Sequence, residues 1–179
     1  IETLAIQHAG NPEGYARSYL NYLKTCLDSV DCKMISKFVE LLLKARENNN
    51  TVFFIGNGGS AATASHFAND IAIGTQTGDQ KPFKALSLTD NTPVITALAN
   101  DQGYNRIFVD QLKVHLTKGD SVVAISASGN SPNIISAVTY AKSRGATIVG
   151  LTGFDGGKLR NLSDIKLHLE TKHGEYGPV

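Results

Sequence analysis
The sequence predicts an α/β protein built on a doubly wound, five-stranded parallel sheet in the order 2-1-3-4-5, with two additional helices at its amino-terminal end. Three observations predict this. From Thr51 onward, β-rich apolar runs alternate with helical patterns, and such alternation gives a parallel sheet covered on both faces. Two of the runs end in loops of one grammar, Gly56-Asn57-Gly58-Gly59-Ser60 and Ser126-Ala127-Ser128-Gly129-Asn130-Ser131. In that strand order the first and third strands are neighbours that the chain leaves in opposite directions. Both loops therefore fall at the switch point, where ligands bind beyond the carboxyl ends of the strands.

In chain order, residues 1–12 carry no strong pattern. Tyr15, Tyr19, Tyr22, Leu23 and Leu27 then recur at helical spacing, and a second amphipathic pattern over 33–47 presents Ile35, Phe38, Val39, Leu41, Leu42 and Leu43. Asn48-Asn49-Asn50 ends it. Two helices ahead of any strand lie outside a βα alternation, so they pack on the α/β body or on another subunit. Strands are expected at 51–55, 83–88, 121–126, 147–151 and 164–169. Helices are expected over 60–73, 93–98, 105–116 and 132–144, with a helical turn at 157–162. Pro132 opens a first helical turn and Gly145 follows a helix end, the expected start and stop residues. The organisation expected is a single domain, with a helical extension over 1–50 and an α/β body over 51–170.

The 179 residues suffice for one domain with a sizeable core. With 41% hydrophobic and 18% charged residues and a net charge of +1, the chain has no electrostatic case for nucleic acid or an acidic membrane surface. No apolar run reaches the roughly 18 residues of a membrane span, and no signal-peptide pattern opens the chain, so a cytoplasmic protein is expected. Cys26 and Cys32 both fall in the helical extension, where a disulfide is one reading and two free core thiols the better one. The opening at Ile1, without methionine, reads as a trimmed start.

Each loop joins a strand to a helix, whose first N–H groups lack partners and sit at the positive end of the helix dipole. Glycines bring the backbone close to a ligand, and serine hydroxyls add donors without charge. The first loop lacks the Gly-Lys-Ser/Thr ending of a Walker A motif, and Ala61 stands where a dinucleotide fingerprint needs its third glycine. No lysine follows either loop, which argues against a nucleotide with Mg²⁺. A small phosphomonoester held from two sides fits better. The plainer alternative is a pair of tight turns with no ligand.

At this point the residues resemble a known family. Gly56–Ser60 followed by His66-Phe67-Ala68, Ala99-Asn100-Asp101, Ile125–Ser131, and Leu151-Thr152-Gly153 through Gly156-Gly157-Lys158 resembles the SIS (sugar isomerase) phosphosugar-binding domain. The similarity is greatest to its phosphoheptose isomerase branch and covers most of 51–169. The resemblance implies that Asn57, Gly58, Gly59 and Ser60 form the first side of the phosphate site and that Ser126, Ser128 and Ser131 form the second. It implies that Asp101 contacts sugar hydroxyls, that His66 and Asp70 are catalytic residues and ligands of Zn²⁺, and that the protein is a homotetramer with sites between subunits. His66 and Asp70 are i, i+4 on one helix face; without the resemblance they read as a structural surface pair.

Three departures stand out. Asp70 replaces the family's glutamate, one methylene shorter. Gly74 stands where the heptose enzymes commonly carry an arginine. The family's helix after the fifth strand, with a Gln or Glu and a catalytic His, is expected to be absent from this chain; His173, Glu175 and Tyr176 lie in a Gly-rich segment and receive no catalytic role. Ala127 also stands where the isomerases often carry threonine, which removes one hydroxyl.

Two functions follow as expectations. The first is an aldose–ketose isomerase of a sugar phosphate, similar to a sedoheptulose-7-phosphate isomerase of lipopolysaccharide or capsule heptose biosynthesis. The second is a non-catalytic SIS module, a phosphosugar sensor or an assembly factor that binds a replication initiator. The first predicts no nucleotide, nucleic acid or membrane partner.

Overall fold
The computed structural model describes residues 2–172. His173, Glu175 and Tyr176 lie outside the described residues. Five parallel strands, β1 (Thr51–Gly56), β2 (Lys84–Ser87), β3 (Ser121–Ile125), β4 (Thr147–Thr152) and β5 (Ile165–His168), form one sheet in the order β2-β1-β3-β4-β5. The sequence expectation of strand order holds, with no strand end shifted by more than one residue.

The strands are apolar at nearly every position because both sheet faces are covered. Alternation of side chains across the pleat sends Phe53, Ile55, Val122, Ala124 and Ile148 to one core. Val52, Phe54, Val123, Ile125 and Val149 go to the other. Burying one such side chain contributes about 1.5–3 kcal/mol. The first core is closed by α5 (Thr92–Gln102), α6 (Val109–His115), α7 (Pro132–Ser143) and α8 (Gly157–Leu162), through Leu98, Leu112, Ile134, Ala137 and Leu159 among others. The second is closed by α3 (Cys32–Glu47) and α4 (Gly59–Asn69), through Phe38, Leu42, Ala64 and Phe67. Phe67 packs edge-on to Phe38 with ring centroids 5.8 Å apart, and tilted against Phe54 at 5.2 Å.

Register at the amino ends of the strands is set by buried Asp120. Its carboxylate accepts from the Thr51 N–H at 2.7 Å, the Thr117 N–H at 2.7 Å and the Thr117 hydroxyl at 2.9 Å. Strand β1, which the chain reaches first, is thereby tied to the turn that enters β3.

The amino-terminal part holds one helix more than the periodicity predicts. Ahead of α2 (Pro12–Asp28) lies the short α1 (Glu2–Gln7), too brief to show an apolar stripe. It packs on α2, and the His8 ring bonds the Ser18 hydroxyl at 2.9 Å. Helix α2 buries only Cys26 and leaves Leu20 and Leu27 exposed. Cys26 and Cys32 are both free, but only Cys26 is a core thiol; Cys32, at the exposed start of α3, is not. Among the described residues no helix is long and apolar enough to cross a membrane.

Three helical expectations change. The helix expected over 60–73 is α4 followed by a π-helical turn, Asp70–Gly74. The short helix expected over 93–98 runs on to Gln102, capped at its start by the Asn91 side chain on the Val94 N–H. The helix expected over 105–116 is a 3₁₀ turn, Tyr104–Arg106, and then α6.

Candidate functional site
The two loops meet at the carboxyl ends of β1 and β3, which pair directly from Val52–Ser121 to Gly56–Ile125. In the first loop the chain doubles back onto α4 so tightly that a Cβ on Gly56 would stand 2.4 Å from the Ser60 carbonyl oxygen. Gly58 caps α4 without a side-chain hydrogen bond. The first N–H groups of a helix have no intrahelical acceptor; the Gly58 carbonyl accepts from the Ala61 and Ala62 N–H groups at 3.0 and 3.2 Å, and the glycine cap brings no side-chain acceptor for those ahead of them. The helix is held in place by hydroxyls: Ser65 bonds Thr89 at 2.8 Å and also donates to Asp90, and Ser87 bonds Thr89 at 2.6 Å.

The second loop is braced from its far side. Gly129 adopts φ +62°, and a Cβ there would stand 1.9 Å from the Gly156 carbonyl oxygen. The Gly129 carbonyl accepts from the Leu159 N–H at 2.9 Å, and the Asn130 side chain accepts from the Lys158 N–H at 3.1 Å. The start of α8 is thus capped by the loop. Ser131 precedes α7 without spending its hydroxyl on a cap, and its oxygen lies 3.4 Å from that of buried Ser126.

Between the loops lies a cavity of about 640 Å³. Asn57, Gly59, Ser60, Ser126, Ser128 and Ser131 line it, so six of the residues singled out from the sequence meet at one cavity. Val30, Ile35, Leu151, Leu167 and Leu169 add an apolar part to the lining. Lys166, Thr152 and His168 also line it; sequence reasoning missed Lys166 and His168, and marked Thr152 only as part of a motif, with no role. Lys166 follows neither loop in sequence, and only the parallel pairing of β4 with β5 brings that strand alongside. The pairing sets Thr152 against His168, whose Nδ1 bonds the Thr152 hydroxyl at 2.9 Å. The His168 Nε2 is buried without a partner. Burial first, and then the positive charge of Arg160, holds this imidazole below its ordinary value of 6.5, against the opposing pull of Glu170 and Asp155.

The remaining residues lie elsewhere. Gly58 is outside the lining, at the exposed tip of the first loop. Asp101 is exposed on the last turn of α5, where its carboxylate accepts from the Asn100 side chain at 2.7 Å. His66 and Asp70 form a pair with Nε2 and Oδ2 3.3 Å apart, and their side chains are 79% and 56% exposed. Neither lines the cavity. The pairing follows from the i, i+4 spacing, and the exposure from the face of α4 that carries it.

The zinc expectation finds no support among the described residues. Among the described residues no group of three or more His, Cys, Asp or Glu side chains is placed to hold a metal ion. His66 and Asp70 offer two donors, whereas zinc sites in proteins use three or four. The nearest third candidate would have to come from outside the described residues of one chain.

Comparison with known proteins agrees with the geometry. Residues 14–153 match the SIS domain family. Phosphoheptose isomerase of Aliarcobacter butzleri (strain RM4018) is 40% identical over 133 residues, 74% of this chain and 70% of that one. Phosphoheptose isomerase of Helicobacter pylori (strain P12) is 40% identical over 145 residues, 81% of this chain and 74% of that one. Among solved structures, phosphoheptose isomerase from Neisseria gonorrhoeae superposes with a TM-score of 0.81 at 30% identity, covering 93% of this chain and 89% of that one. The chain belongs to the SIS domain family, in its phosphoheptose isomerase branch.

Proposed function
We propose that this protein is a phosphosugar isomerase that interconverts an aldose and a ketose phosphate of the heptose class. The relatives' shared activity supports the reaction. The single observation that carries the site is the meeting of two hydroxyl-rich strand-to-helix loops at one cavity. The binding-module alternative finds no support in relatives of this similarity.

In this reading Ser60, Ser126, Ser128 and Ser131 hold the phosphate, aided by the first N–H groups of α4. Binding energy from the phosphate, remote from the reacting carbons, orients them. A base removes the proton beside the carbonyl to give an enediol, and the proton returns to the neighbouring carbon. Asp70 is the proposed base and His66 its partner. Since this exposed pair stands outside its own chain's cavity, it serves substrate held by a neighbouring subunit, in a homotetramer of the cytoplasm. Asp101 stands ready for sugar hydroxyls on the same terms.

Removing one neutral donor to a charged phosphate costs about 1.5–3 kcal/mol, roughly a ten- to hundred-fold loss of affinity. Ser60→Ala and Ser128→Ala are each expected to weaken sugar-phosphate binding by that factor, with the melting temperature unchanged. The free sugar should bind poorly throughout. Calorimetric titration of the parent and both variants with ketose and aldose phosphates checks this. A parent protein that binds sugar phosphate no better than free sugar sinks the reading.

A further inference from the structure
The Asn57 side chain, in the first loop, is almost wholly committed within the protein. Its Nδ2 donates to Asn133 Oδ1 at 2.9 Å, and its Oδ1 accepts from Asn133 Nδ2 at 2.8 Å. The same Oδ1 accepts from the Tyr104 hydroxyl at 3.0 Å. A carboxamide has two acceptor lone pairs and two N–H groups, so a single N–H is left for a ligand. Asn133 stands in the first turn of α7, two residues beyond Ser131, and is 2% exposed. Its Oδ1 also accepts from the Ile134 N–H at 3.0 Å, which locks the amide to the helix. Tyr104 begins the 3₁₀ turn whose Arg106 donates to Asp110 of α6 at 2.9 and 2.7 Å.

We propose that Asn133 and Tyr104 are positioning residues for the phosphate cradle, acting through Asn57 to hold the first loop at a fixed distance from the second. The inference rests on the phosphosugar reading above. A cradle made of neutral donors depends on their placement, because hydrogen bonds weaken steeply with distance and angle. The reciprocal amide pair bridges the Ser60 loop directly to the start of α7. Tyr104 closes it from a third segment, so the first loop, the start of α7 and the 3₁₀ turn share one carboxamide. Asn57 therefore contributes through the loop it holds more than through its own side chain.

The test measures KM and kcat with a heptose phosphate, and affinity for inorganic phosphate, in Asn133→Ala, Tyr104→Phe, Asn57→Ala, the Asn57→Ala/Asn133→Ala pair and Ser128→Ala. Loss of a buried reciprocal pair is expected to raise KM about ten-fold or more, and loss of the tyrosine hydroxyl about three-fold, with kcat within about two-fold of the parent. The double variant is expected to be no worse than the worse single one, since both remove the same pair. A KM within two-fold of the parent in both Asn133→Ala and Tyr104→Phe, while Ser128→Ala shows its loss, overturns the inference and leaves the phosphosugar reading standing. Ser128→Ala without effect, in a parent that does not prefer the phosphorylated sugar, overturns both. Should Asn133→Ala fail to fold by circular dichroism, Tyr104→Phe decides alone, and an unchanged KM there overturns the proposal.

Discussion

His168 and Asp120 lie at opposite ends of the sheet, and each turns a local environment into a measurable property. The His168 imidazole is held below 6.5, by burial and then by the charge of Arg160. Its folded form therefore resists protonation more than its unfolded form does. Between the depressed folded value and 6.5 the unfolded chain binds more protons, so stability rises with pH through that window and falls as pH drops through it. Melting curves are expected to shift downward below about pH 6.5 and to shift less in His168→Gln; equal acid sensitivity in both would remove His168 from the account. Asp120 makes its three hydrogen bonds at 2% exposure. Asp120→Ala leaves the Thr51 and Thr117 N–H groups without their acceptor, and a loss of about 2–4 kcal/mol in denaturant unfolding is expected. Asp120, one residue ahead of the β3 run, carries no motif that marks it as a buried acceptor. His168 was not legible at all, because a lone histidine in a short strand has no motif, and its neighbour Thr152 comes from a different strand.

Helix and strand positions were legible where pattern and burial agree. The runs of β1 and β3 are apolar throughout and buried on both faces, so composition alone marks them. Errors cluster where local rules compete. The Asn100-Asp101 pair reads as loop, yet the cap at Asn91 and Pro93 at the start carry α5 through it to Gly103. The helix bearing His66 continues past Asp70 with wider π winding, closed by the Thr75 hydroxyl on the Ile71 carbonyl at 2.7 Å. Such turns have no composition signal. The second loop and α8 act as one unit, because the loop carbonyl and the Asn130 amide complete the helix start. Gly129→Ala is therefore expected to be among the most disruptive small substitutions, combining a left-handed φ with a backbone clash. A loss of about 3 kcal/mol or more is expected by chemical denaturation, with phosphate affinity falling as well. A variant as stable as the parent would mean that α8 can withdraw from the loop at little cost.

The switch point was legible at the scale of the whole molecule, since alternation plus two like loops dictate where strands 1 and 3 must meet. What surrounds the chain was not, and the amino-terminal helices show why it matters. Helix α2 packs chiefly on α1, stacks Tyr15 on Tyr19 with ring centroids 6.4 Å apart, and leaves Leu20 and Leu27 at 62% and 58% exposure. On α3, Ile35, Val39 and Leu43 are exposed as well, on a helix that already buries Phe38 and Leu42. Apolar stripes on two adjacent helices fit a partner helix pair better than water. A sedimentation mass that is a multiple of 19.1 kDa is the expected result. The pair Leu20→Asp and Leu27→Asp should then release single chains. These would keep the phosphate cradle, which one chain builds alone from its two loops. If the site is shared as proposed, they would lose the His66–Asp70 pair of the neighbouring chain, and with it about a hundred-fold or more of turnover. Retained phosphate binding with lost isomerisation is thus the signature of a site shared between subunits. A monomeric variant with full activity would place the proton-transfer groups within one chain and return His66 and Asp70 to the surface of α4.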